Sequence, residues 1–97
     1  MNDAIIEYHV EVNTLTYEIE HYWRLTYIYN KKNLFYKTFP EFIGHAINVH
    51  GQSGGFCVSF NDLEFAYEFK RRMIGIYDDY VSIHMFSSPI RQRSYSV

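Results

Sequence analysis

Five histidines (His9, His21, His45, His50 and His84) and one cysteine, Cys57, are the residues best suited to metal binding or nucleophilic catalysis. Their spacing points away from both. Zinc sites draw on closely spaced pairs such as C-x-x-C or H-E-x-x-H, and the chain contains neither. His45 and His50 are off-face on a helix and on opposite sides of a strand. Cys57 lies within the apolar run Phe56–Phe60, where a thiol behaves as a small hydrophobe rather than an activated nucleophile. Gly51-Gln52-Ser53-Gly54-Gly55 leads into that strand, whereas a phosphate loop leads into a helix N-terminus, so it reads as a hairpin turn. No catalytic residue, metal or cofactor is expected, and the chain reads as a non-enzyme.

Charge is more informative. Residues 1–30 hold Asp3, Glu7, Glu11, Glu18 and Glu20 against Arg24, a net −4, whereas residues 31–97 carry eight basic and six acidic side chains. If the first two extended segments pair, Glu7 and Glu11 lie beside Glu18 and Glu20. Such an acidic sheet edge resists aggregation and suits a basic partner. Tyr22 is the candidate anchor beside it. The opposing cluster is Lys70, Arg71 and Arg72 with Arg91 and Arg93 of the tail, which could grip phosphates.

The elements that must position these groups belong to one domain, residues 1–89, followed by a basic, loose tail, 90–97. A chain of 97 residues supports a single core, and 47% apolar with 21% charged residues is an ordinary globular mixture. Aromatics reach 20%, an efficient filling for a small interior. A net charge of −2 excludes binding to nucleic acid through bulk charge alone. One cysteine rules out an intrachain disulfide, and the acidic first twelve residues lack the pattern of a signal peptide. No membrane contact and a cytoplasmic location are expected.

Alternation over Ala4–Val12 predicts a strand with Ile6, Tyr8, Val10 and Val12 on one side. Tyr17–Tyr29 alternates too and predicts a second, long strand with a bulge near His21. Asn30–Asn33 reads as a turn and Leu34–Phe39 as a short strand. Thr38–His50 is either a capped helix ended by Gly51 or a helical turn followed by a strand from Ala46. Pro40 and Gly44 favour the second reading, with a hairpin onto Phe56–Phe60. Asn61 with Glu64 forms a capping box for a helix over about 62–74, in which Phe65, Ala66, Phe69 and Met73 share a face. Glu68 pairs with Arg72 on its wet side, and Gly75 stops it. Asp78-Asp79 turns into a strand over Tyr80–Phe86, ended by Ser87-Ser88-Pro89. The class is α+β: a mainly antiparallel sheet of four to five strands with one main amphipathic helix on one face.

Ser53-Gly54-Gly55-Phe56-Cys57-Val58-Ser59-Phe60 resembles the aromatic signature strand of the RNA-recognition motif. Gly54, Val58 and Phe60 match residues that shape and anchor that strand. The resemblance spans roughly Ala46–Phe86 and implies a ferredoxin-like core. Ser53 stands where the motif has a basic residue, and Gly55 and Cys57 stand where two aromatics stack on bases, so it does not extend to RNA contact.

The expected function is a small protein-interaction module, similar in character to viral inhibitors of host nucleic-acid machinery. It would dock Glu7, Glu11, Glu18, Glu20 and Tyr22 on a basic surface. The alternative is a single-stranded RNA- or DNA-binding domain using aromatics with Lys70, Arg71, Arg72, Arg91 and Arg93. Aromatic surface also leaves a homodimer open.

Overall fold

The computed structural model describes residues 5–29 and 34–90. Strand β1 (Ile5–Thr14) is followed by helix α1 (Tyr17–Trp23), which continues into a π-helical turn, Arg24–Ile28. Helix α2 (Leu34–Thr38) and a 3₁₀ turn, Pro40–Phe42, lead to β2 (Ala46–Gln52) and β3 (Gly55–Phe60). Helix α3 (Leu63–Tyr77) and a second 3₁₀ turn, Asp78–Tyr80, precede β4 (Val81–Ile90). The strands form one antiparallel sheet in the order β2-β3-β1-β4. The fold is α+β, and this order suggests the split β-α-β plan of ferredoxin-like domains.

One face of the sheet is covered. Val10 and Val12 of β1, Phe56, Val58 and Phe60 of β3, and Val81, Ile83 and Met85 of β4 point toward the helices. Phe69 of α3 is the hub of this layer. Its ring lies 5.6 Å from those of Phe35, Phe39 and Phe60 and 5.8 Å from that of Phe42. Edge-on contacts at such distances contribute beyond area burial, which is how a short chain builds a core from phenylalanine. Tyr36 ties α2 to β2 by donating its hydroxyl to the Ala46 carbonyl at 2.7 Å. The β2–β3 turn uses Gly54 at φ +82°, a backbone that costs glycine nothing.

The largest correction concerns Tyr17–Tyr29. It is helical, and the reason lies in Ile19, Trp23 and Tyr27. They are spaced by four residues, and Trp23 and Tyr27 are buried, Trp23 meeting Phe56 edge-on at 5.1 Å and Tyr27 tilted against it at 5.3 Å. An α-helix would carry a strict four-residue repeat around its axis. The wider π turn, closed by Tyr29 N–H donating to the Arg24 carbonyl at 2.9 Å, keeps Tyr27 facing inward. Leu34–Thr38 is likewise helical rather than a strand.

Other boundaries shift less. Asp62, not Asn61, caps α3, its carboxylate accepting from Glu64 N–H at 2.9 Å. Asn61 instead donates its side-chain amide to the Gly44 carbonyl. Gly75 does not stop α3, which runs to Tyr77 and turns at Asp78 with φ +52°. Strand β4 continues through Ser87, Ser88 and Pro89 because it pairs with β1 along its whole length, up to Ile90 opposite Ile5. The hairpin reading of 38–50 holds, with β2 starting at Ala46. The Asn30–Asn33 turn and the tail beyond Ile90 lie outside the described residues. No helix among the described residues is long and apolar enough to cross a membrane.

Candidate functional site

Strand β1 is central, not an edge, so the expected acidic edge does not form. Glu7 and Glu11 point away from the helices, in register with Ser88 and His84 of β4. Glu18 and Glu20 lie on α1, in the layer covering the opposite face. The four carboxylates are therefore split between two sides of the molecule. Glu20 is further occupied by Arg24, one helical turn on, at 2.6 Å.

What the helix does assemble is an outer face. With Trp23 and Tyr27 turned inward, Tyr17, Glu18, His21, Tyr22, Leu25 and Tyr29 are turned out. Tyr17 is 67% exposed, Tyr22 51%, Leu25 52% and Tyr29 66%. Tyr17 stacks on His21 at 5.4 Å, and Tyr22 meets Tyr27 edge-on at 6.2 Å. Glu18 has no ion-pair partner among the described residues. Single exposed apolar residues are ordinary, but tyrosines and a leucine aligned along one helix make the composition of an interface centre. Thr14 fixes where α1 begins: its hydroxyl accepts from Thr16 N–H at 3.1 Å and donates to the Tyr80 carbonyl at 2.7 Å. A helical period read over 17–29 would have found this face. Strand alternation instead sets Glu18 and Tyr22 on one side and Tyr17, Leu25 and Tyr29 on the other.

Much of the open face of the sheet is bonded within itself. His9 Nδ1 lies 2.8 Å from Ser59 Oγ and its Nε2 lies 2.7 Å from Ser88 Oγ, so both ring nitrogens are engaged. Glu7 Oε1 is 3.9 Å from the same Nε2. Phe86 stacks on His9 at 4.7 Å and on His84 at 5.5 Å. Gln52 donates to Asn13 Oδ1 at 3.1 Å, bridging over Gly55, where a Cβ would collide with the Val12 carbonyl. Cys57 sits between His50 and Glu11 in the strand register and is buried. Burial, reinforced by Glu11, pushes its thiol up to about 11, away from the range of a nucleophilic cysteine. The two positions where the RNA-recognition motif stacks bases are thus a glycine beneath a side-chain bridge and an inert thiol.

Two members of the basic cluster are ion-paired, and Lys70 has no ion pair among the described residues. Arg71 pairs with Glu68, and Arg72 pairs with Glu41 while lying over the Phe39 ring at 5.1 Å. The expected Glu68–Arg72 pair is replaced by these two. Arg91 and Arg93 lie outside the described residues. Among the described residues no group of three or more His, Cys, Asp or Glu is placed to hold a metal ion. A cleft of about 240 Å³ between the β1–α1 turn and the start of β4 is lined by Thr14, Leu15, Asp79 and Tyr80 among others, and pairs no acid with a base. No family model, curated protein or solved structure matches the chain.

Proposed function

We propose that the protein is a non-enzymatic protein-interaction module that docks the outer face of α1 on a partner with a basic surface. The observation that carries this reading is the alignment of Tyr17, Tyr22, Leu25 and Tyr29, each more than half exposed, with Glu18 on the same face. Tyrosine supplies broad apolar contact with a polar tip at low entropic cost, and truncating such anchors at an interface centre typically removes ~2 kcal/mol or more. Glu18 supplies the charge that steers a basic partner and sets its orientation. The docking element is an acidic, tyrosine-bearing helix where the sequence suggested a sheet edge. Occluding a partner's basic groove is the action such a surface supports, as an inhibitor of nucleic-acid handling would.

The nucleic-acid alternative has less behind it. Arg71 and Arg72 are held by carboxylates, and the stacking rings of the open sheet face share it with Glu7 and Glu11, which repel phosphate. Capture of partners from the native host, with protein and nucleic acid both recovered, tests the two readings together. The wild-type chain should retain a protein that the combined Tyr22→Ala, Leu25→Ala and Tyr29→Ala variant loses, with unchanged circular dichroism. Glu7→Gln with Glu11→Gln should keep it. Retention by the triple variant, or recovery of nucleic acid alone, defeats the proposal.

A further inference from the structure

The two edges of the sheet differ in kind. Strand β2 has seven residues, and its register against β3 shifts between Ala46 and Asn48. Such a bulge disrupts the outer row of backbone groups and protects an edge. Strand β4 pairs with β1 without interruption over ten residues, and no strand among the described residues lies on its other side. Natural edges are usually guarded by lysine, by inward-pointing charge or by a bulge. Val81–Ile90 has no Asp, Glu, Lys or Arg, and its one guard is Pro89, next to the end.

We infer that β4 pairs antiparallel with β4 of a second copy, about a two-fold axis perpendicular to the sheet, joining two four-stranded sheets into one. Charge permits this occupant, because an uncharged strand opposes itself without like-charge cost, and a second copy brings an unguarded edge of the same ten-residue length. Geometry then narrows the register. The axis keeps both helix layers on one side, so residues facing each other must come from the same face. Centring on Met85 sets Met85 against Met85 and Ile83 against Ser87 on the helix side. On the open side it sets His84 against Phe86, rings that already stack at 5.5 Å within one chain. The contact is isologous and uses both free β4 edges. Only the bulged β2 edges remain outside, so assembly stops at two copies. This surface is separate from the outer face of α1.

Sedimentation equilibrium over a micromolar concentration series tests it. The wild-type mass should rise to twice the 11.7 kDa of one chain. His84→Lys with Phe86→Lys opposes lysines on both sides of the axis and should weaken dimerisation at least about 100-fold. His84→Glu with Phe86→Glu should do the same, and mixing the two variants should restore a dimer. Met85→Cys, in a Cys57→Ser chain, should cross-link on mild oxidation and reports the register without any added charge. A wild-type chain that stays at monomer mass overturns the inference. So does a dimer that survives both charged pairs, a mixture that stays monomeric, or a Met85→Cys chain that does not cross-link.

Discussion

The open face of the sheet and the outer face of α1 both lack a covering layer, and they differ in how far their side chains satisfy one another. On the open face of the sheet, His9 engages two serines, Phe86 stacks between His9 and His84, and Gln52 reaches Asn13. On the outer face of α1, Tyr17 stacks on His21 and Tyr22 meets Tyr27 edge-on, but Leu25 and Tyr29 project into solvent and no side-chain hydrogen bond joins Tyr17, Tyr22 or Tyr29 to another described residue. Exposure alone therefore does not mark a docking surface. A face that has closed its own hydrogen bonds and ring contacts would have to give them up to bind. A face that leaves tyrosine and leucine in water loses little and gains burial of roughly 25 cal/mol per Å² of apolar surface.

The inner side of α1 anchors the helix to the core, and losing it should have the largest effect. Trp23→Ala removes a buried ring that packs against Phe56 and Tyr77, and should cost ~3–5 kcal/mol in chemical denaturation. A loss below ~1 kcal/mol would detach the helix from the core as described. Next in size is the open face. His9→Ala leaves the buried Ser59 hydroxyl without its partner and should cost ~1–3 kcal/mol. A neutral result would mean that this network does not hold the face together.

Cys57 provides a pH test of the same closure. Its folded pKa is raised from 9.0 to about 11, so the folded state holds the proton more tightly than the unfolded chain. The associated stability is complete below pH 9 and is lost as pH rises through 9 to 11, because the unfolded thiol ionises first. Urea midpoints across that range should fall less in Cys57→Ser than in the wild type, and the native thiol should resist alkylation at pH 8. The smallest effect belongs to the outer face. Tyr22→Ala, Leu25→Ala and Tyr29→Ala should each shift stability by no more than ~0.5 kcal/mol, leaving folding intact while binding is lost.

The same contrast explains what the sequence revealed. Helix α3 was legible because its wet side carries Glu64, Glu68, Lys70 and Arg71, so Ala66, Phe69 and Met73 stand out at helical spacing. Strands β1 and β3 and the hairpin from β2 were legible from alternation and Gly54. Helix α1 was not. Its outer side carries Tyr17, Tyr22, Leu25 and Tyr29 with Glu18 as its one charge, so no continuous polar stripe marks its period, and its tyrosines, tryptophan and threonine favour strands by composition. The apolar character that makes this face a candidate for docking also hid the helix that presents it. Among the candidate site residues, Glu18 and Tyr22 come together there. Glu7 and Glu11 were separated from them once β1 took a central place in the sheet, a tertiary choice that no local pattern encodes.

Side-chain footprinting of the complex with the captured partner locates the docking face. Tyrosine modification and histidine modification are compared in the free and bound protein. Tyr17, Tyr22 and Tyr29 should react when free and be shielded when bound, while His50 and His84 on the open sheet face keep their free reactivity. Shielding of those histidines with the three tyrosines still reactive would contradict docking through the outer face of α1.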